Sequence, residues 1–187
     1  MNFGTDVNIG TLRNVEGDAT TPQTTHAKEI ALIPHCCNNG VNGDGIGVMG
    51  AGVALSLRRK WEKVFEKYKK MEKQSPKGLK NRLGENCYVR VEEDVIVVNM
   101  IAQDGIISTN NPKPIKYWAL MRCMEAIRTD LFSYIGTNSQ YDGRKPVIHT
   151  PKFGSERGGG NFDFILELIR EIWLEAGIDV VVYEYVG

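Results

Sequence analysis

The chain lacks the features by which several large protein classes are known. No apolar run among its 187 residues nears the roughly 20 that a membrane-spanning helix needs. The opening Met1-Asn2-Phe3-Gly4-Thr5-Asp6 lacks the basic-then-apolar order of a secretory leader. A cytoplasmic location (the host cytoplasm if the source is viral) and no membrane partner are therefore expected. The 4 cysteines form no C-x-x-C pair, since Cys36 and Cys37 are adjacent while Cys87 and Cys123 stand alone. That spacing argues against a thiolate zinc site or a redox motif and predicts reduced thiols and no metal; no cofactor is expected either. Net charge is zero and 42% of residues are hydrophobic, a balance that argues against disorder. Internal repeats, low-complexity tracts and composition shifts are absent too. One domain over residues 1–187, monomeric, is the expectation.

The neutral total hides an uneven distribution. Between Arg58 and Arg82 there are 11 Lys or Arg against 3 Glu, whereas Glu156 onward carries 7 acids against 2 Arg. A basic stretch can hold a polyanion. Here Glu62, Glu66 and Glu72 interrupt it, apolar residues keep helical spacing, and no aromatics are interleaved for base stacking. A solvated helix face is the better reading, and nucleic acid is not the expected partner.

Short apolar runs alternate with amphipathic stretches. Strands are predicted over 11–15, 29–33 (ending at Pro34), 87–91, 95–99, 146–149 and 179–184. Val53, Leu57, Trp61, Val64, Phe65 and Tyr68 recur at helical spacing. A second helix is predicted over 115–132, with Leu120, Met121, Met124, Ile127 and Leu131 inward. A third is predicted over 161–176, with Phe164, Ile165, Leu168, Ile169 and Ile172 inward, Asn161 as N-cap and Gly177 as its stop. This order predicts an α/β fold: helices on both faces of a mixed, mostly parallel sheet.

Two glycine-rich loops each leave a strand and open a helix, the place where such sheets bind ligands. The first runs from His35 to Gly52 and ends Met49-Gly50-Ala51-Gly52; the second is Pro151-Lys152-Phe153-Gly154-Ser155-Glu156-Arg157-Gly158-Gly159-Gly160. Bare backbone at a helix start presents N–H groups and the positive end of the dipole to an anion. Two such loops on one sheet edge could clamp a diphosphate from both sides. Gly45-x-Gly47-x-x-Gly50 also satisfies the dinucleotide fingerprint, but about 20 residues on, where that motif places an acid, stand Lys69, Lys70 and Lys73. There is no G-K-[ST] for a P-loop.

These motifs together resemble the macrodomain family, which binds ADP-ribose. The resemblance rests on Gly17-Asp18-Ala19-Thr20, on His35-Cys36-Cys37-Asn38 followed by Met49-Gly50-Ala51-Gly52-Val53, and on Val98-Asn99-Met100-Ile101-Ala102-Gln103. The second glycine loop and Val182-Tyr183-Glu184 complete it, in order along nearly the whole chain. The strand Val98–Gln103 is similar to the ADP-ribose-1″-phosphate phosphatase-like (Appr-1-p processing) branch. The resemblance implies a three-layer α/β/α macrodomain sandwich.

It also implies roles. Asp18, beside Ala19, would read the adenine amine. Gly50, Ala51, Gly52 and Val53 would meet one side of the diphosphate. Gly154, Ser155, Glu156, Arg157, Gly158 and Gly159 would meet the other. Tyr183 is a candidate to stack on adenine and reads equally as a core tyrosine. Asn38 would lie near the distal ribose. His35, or Asp44, or the substrate's own phosphate would activate water, although a lone histidine at a strand end reads equally as structural. Glu156 departs from the family pattern, which has no carboxylate there.

The activity implied is hydrolysis at C1″ of ADP-ribose, acting on ADP-ribose-1″-phosphate or on an ADP-ribosylated protein. The alternative is a module that binds ADP-ribose or a related nucleotide without turnover. A NAD-binding Rossmann-type oxidoreductase ranks below both.

Overall fold

The computed structural model describes residues 8–40, 48–73, 82–137 and 144–185. Its six strands are β1 (Leu12–Glu16), β2 (Glu29–Asn38), β3 (Asn86–Glu92), β4 (Val95–Gln103), β5 (Lys145–Pro151) and β6 (Val180–Glu184). They form one sheet in the order β1-β6-β5-β2-β4-β3, parallel throughout except for the β3–β4 hairpin at one edge. The mixed, mostly parallel sheet is thus as the sequence predicted. Its order differs from the 3-2-1-4-5-6 of a dinucleotide-binding sheet, which sets the Rossmann reading aside.

Continuous burial along β2 and β4 means that both faces of the sheet are covered. Side chains alternate between the two covers. Ile30, Leu32, Val98, Met100 and Ile148 pack under α3 (Tyr117–Thr137) and α4 (Phe162–Ile169). Ala31, Ile33, Val97 and Ile101 pack under α1 (Gly52–Lys60) and α2 (Glu62–Lys73). On that second face, Val147, Val181 and Tyr183 of β5 and β6 meet Ala19, a residue of the segment between β1 and β2. There a loop does the covering that helices do elsewhere. No described helix is long and apolar enough to cross a membrane.

Four details depart from expectation. β2 runs through Pro34 to Asn38, because Pro34 faces β5 where the two strands have parted: their register stops at Leu32, and the Pro34 carbonyl takes the Thr150 hydroxyl at 3.0 Å. No ladder N–H is missed there. The first predicted helix is two, broken at Trp61 (φ −136°, ψ 88°), whose indole N–H donates to Glu92 at 3.1 Å. Met121 and Phe164 are exposed rather than inward; Phe164 lies edge-on to Tyr117, ring centroids 4.7 Å apart. The third predicted helix ends as α4 and continues through a π-helical turn, Arg170–Leu174, which seats Trp173 so that its Nε1 donates to the Met124 carbonyl. Asn161 caps α4 as expected, accepting from the Asp163 and Phe164 amides. On the basic face of α1 and α2, Arg58 pairs with Glu62 and Lys69 with Glu66, and both cations lie over the Phe65 ring.

His35 shares the parity of Ala31 and Ile33 and so points beneath α2, fully buried. The Asn99 amide nitrogen donates to the Val64 carbonyl at 3.3 Å, leaving its oxygen to accept from His35 Nε2 at 2.6 Å. Burial pushes the imidazole from its usual 6.5 down to about 4. A histidine whose folded value lies below its unfolded one takes up its proton later in the native state. Its contribution is therefore complete above pH 6.5 and is lost as the pH falls toward 4, a total of roughly 3 kcal/mol. Urea unfolding measured from pH 7 to pH 4.5 is expected to show a shallower pH slope for His35→Gln than for the parent. The difference is at most one proton, about 1.4 kcal/mol per pH unit. Identical slopes would show that His35 titrates normally.

Candidate functional site

Because β1, β2, β5 and β6 are mutually parallel, their carboxyl ends share one edge, and a cleft of about 820 Å³ opens there. Six pieces of chain line it: Gly17-Asp18-Ala19 after β1, the end of β2 at Cys36-Cys37-Asn38, residues 48–56 into α1, Gln103, Ile106 and Ile107 at the end of β4 and beyond, residues 151–154 and 156–158 after β5, and Tyr183–Tyr185 at the end of β6.

The first turn of α1 directs the positive end of a helix dipole toward this wall. Ala51, its N-cap, is extended (φ −156°) and provides no side-chain acceptor, and the first turn carries no acid. Gly52 has φ +58°, a left-handed conformation that glycine adopts without strain. A Cβ there would lie 3.6 Å from Cγ of Arg157. The arginine of the second loop thus lies against the helix start of the first.

The second loop is shaped by its own packing. A Cβ at Gly158 would stand 2.3 Å from the Gly154 carbonyl oxygen, and one at Gly160 2.6 Å from the same atom. The Gly160 amide donates to that oxygen at 2.9 Å, closing the turn. Gly159 backs onto Pro112 and does not line the cleft. Nor does Ser155, whose hydroxyl donates to the Lys152 carbonyl at 2.9 Å and holds the loop. Glu156 and Arg157 are exposed and do line it, together with Gly154 and Gly158. Lys152 is tied to Glu184 at 2.5 Å, joining the loop to β6.

At one end of the cleft stands Asp18. Its Oδ1 accepts the Thr20 amide at 2.8 Å, which orients the carboxylate and leaves its remaining lone pairs for a ligand donor. Tyr183 is buried and borders the wall; its hydroxyl accepts the Gln23 amide at 2.7 Å and is thereby engaged within the protein. Tyr185, two residues on, is 76% exposed and lines the same end.

Toward the other end, Asn38 braces the first loop. Its oxygen accepts from the Gly40 amide at 2.8 Å and its nitrogen donates to the Val48 carbonyl at 2.9 Å. One N–H and one lone pair remain for other partners. Cys36 and Cys37 also touch the cleft, and burial raises both thiols well above their usual range.

The structure therefore brings Asp18, Ala19, Asn38, Gly50, Ala51, Gly52 and Val53 to one cleft with the four named residues of the second loop. It does not bring His35, which lies beyond Cys37, 3.8 Å from that sulfur, and is enclosed by Asn99. The histidine lies deeper on the face it shares with Cys37, and that residue stands between its ring and the opening. Asp44 falls outside the described residues. Sequence reasoning missed Tyr185, Gln103, and the pair Ile106 and Ile107, all of which line the cleft. Two apolar residues exposed within a polar loop were the available signal for the isoleucines. Among the described residues, no group of three or more His, Cys, Asp or Glu is placed to hold a metal ion.

Neither a family model nor a curated protein matches the sequence, whereas solved structures do. A protein of unknown function from Bacteroides thetaiotaomicron superposes with a TM-score of 0.73 at 26% identity, over 95% of this chain and 99% of that one. A macrodomain protein from Streptomyces coelicolor does so with a TM-score of 0.66, also at 26% identity, over 93% and 99%. DarTG of Thermosipho africanus, solved in complex with ADP-ribose, gives 0.58 at 13% identity over 84% of this chain and 38% of that one. With the sheet order and the strand-end cleft, these matches show that the chain has the macrodomain fold.

Proposed function

We propose that the protein binds ADP-ribose in this cleft and hydrolyses a bond at C1″ of the distal ribose. The observation that carries the reading is the first turn of α1: uncapped, free of acids, flanked by glycine, and facing a second glycine loop. A diphosphate supplies the charge such a helix start favours, and Arg157 adds a cation beside it. Asp18 then meets the adenine amine, a donor for which a carboxylate is suited and which hypoxanthine lacks. Tyr185, exposed at that end, offers its ring to the base. The Thermosipho africanus protein of the same fold holds ADP-ribose, which supports this choice of ligand.

With the adenine and diphosphate held, the distal ribose is directed toward Asn38. Binding energy from the remote adenine then positions the C1″ bond for attack by water, the means by which fixed geometry replaces a strong base. The substrates proposed are ADP-ribose-1″-phosphate and an ADP-ribosyl ester on an acidic protein side chain. His35 takes no direct part, since it is enclosed and stays neutral at pH 7. The proton acceptor is the substrate's phosphate, Asp44 or Glu156. A second reading, binding without turnover, is favoured by one observation: the side chains beside Asn38 are thiols that burial keeps protonated.

Calorimetric titration with ADP-ribose is expected to show one site per chain, weakened roughly ten- to a hundredfold by Asp18→Ala, the loss of one charged hydrogen bond. Gly52→Val, which places a β-branched side chain at φ +58° against Arg157, is expected to abolish binding while leaving the protein folded by circular dichroism. No response to ADP-ribose, or full affinity in Asp18→Ala, would overturn the proposal. In a phosphate-release assay with ADP-ribose-1″-phosphate, turnover supports the hydrolase, and tight titration without release supports the binding module.

A further inference from the structure

Glu29 is a buried carboxylate at the start of a central strand, with 4% of its surface exposed. It has the parity of Ala31 and faces the part of the sheet covered by the loop between β1 and β2. Its Oε1 lies 2.5 Å from Nε2 of His149 on β5, and Nδ1 of that histidine lies 2.8 Å from the hydroxyl of Tyr183 on β6. The direction of each bond follows from its ends. The Gln23 amide can only donate to the tyrosine oxygen, at 2.7 Å, so the phenolic proton goes to Nδ1. The imidazole proton is then on Nε2 and is donated to Glu29. The other carboxylate oxygen, Oε2, accepts the Thr25 amide at 2.7 Å, the Thr25 hydroxyl at 2.9 Å and the His26 amide at 3.2 Å. In this arrangement every donor in the chain has an acceptor, as buried polar networks require.

The bonds from residues 23, 25 and 26 thus converge on one buried chain of three side chains. The same loop carries Asp18. Gly17, next to it, sits over the Tyr183 ring: a Cβ there would meet Cδ1 at 3.6 Å and Nε2 of Gln23 at 3.2 Å. Ala19 packs on Val147 and Val181, and Lys60 holds the Thr20 carbonyl. Asp18 is therefore placed from below by Tyr183 and from behind by the residues that Glu29 and His149 secure.

We infer that Glu29, His149 and Tyr183 form a positioning unit that sets Asp18 at the purine end of the cleft, making base discrimination depend on a hydrogen-bonded chain that runs from the cleft wall into the buried sheet. This rests on the reading of Asp18 given above. Glu29 and His149 touch no ligand under it, and Tyr183 borders the wall with its hydroxyl engaged within the protein. They are positioning residues whose effect is exerted through the loop.

The test compares ADP-ribose with inosine diphosphate ribose, in which a carbonyl replaces the adenine amine. The parent is expected to prefer the adenine ligand by about tenfold or more, the cost of setting a carbonyl against a carboxylate. Tyr183→Phe keeps the ring and removes the hydroxyl; Glu29→Gln keeps the shape and removes the charge. In both, the preference is expected to fall toward unity. A purely structural defect would weaken both ligands alike and leave the ratio unchanged, which would overturn the inference. Thr25→Val, which removes one hydroxyl donor at the loop surface, covers the case in which the buried variants do not fold, and its ratio is expected to fall about threefold. Hydrogen exchange at the Gln23 and Thr25 amides, measured without ligand, is expected to quicken at least tenfold in Tyr183→Phe and Glu29→Gln; unchanged exchange would also overturn the inference. If the parent binds neither ligand, the reading of Asp18 fails and this inference falls with it. If Asp18→Ala loses the preference while Tyr183→Phe, Glu29→Gln and Thr25→Val keep it, only this inference fails.

Discussion

A sheet whose central strands are buried on both sides must be covered on both sides, and most of this structure answers that demand. Two helices cover one face entirely. The other two leave β5 and β6 bare, and the segment between β1 and β2 has to close that gap without a helix's internal hydrogen bonds. A loop laid over a sheet carries backbone groups that must find partners. The buried carboxylate, imidazole and phenol supply them. The polar chain is thus the local solution to a covering problem, and its position beside the cleft makes it bear on the site.

The site itself is made largely of main chain. Its glycines divide into two kinds that sequence alone does not separate. Gly52 is needed for its left-handed φ at the helix start, since a Cβ there would meet Arg157 only at ordinary contact distance. Gly158 and Gly160 crowd one carbonyl oxygen and are needed to close their turn whether or not a ligand is present. The second loop is accordingly a rigid wall and the first a helix start that a ligand can approach. An anion held between them meets a fixed surface on one side and the end of a dipole on the other.

Much of the fold was legible in residue order. The β-branched runs at 95–99 and 179–184, the amphipathic spacing from Leu120 to Leu131, and the Asn161 cap each signal locally what they form. The family resemblance rested on motif order rather than on any single motif, and the strand-end cleft gathers most of the residues it named. What was not legible depends on parity and register. His35 follows a buried strand and precedes a glycine loop, a place where a catalytic histidine and a packed one look alike. Only depth separates them: Cys37, two residues on along the same face, reaches the cleft while His35 is closed off behind it by Asn99 and α2, elements distant in sequence. Likewise Glu29 and His149 are 120 positions apart and meet only because β2 pairs with β5. Tyr185 escaped notice because it stands one residue beyond the last strand, where alternation no longer predicts direction.

The two thiols that border the cleft carry a chemical consequence. Reagents such as iodoacetamide and hydrogen peroxide attack the thiolate, and desolvation keeps Cys36 and Cys37 in the unreactive protonated form. Both are therefore expected to react slowly with such reagents even though they border the cleft.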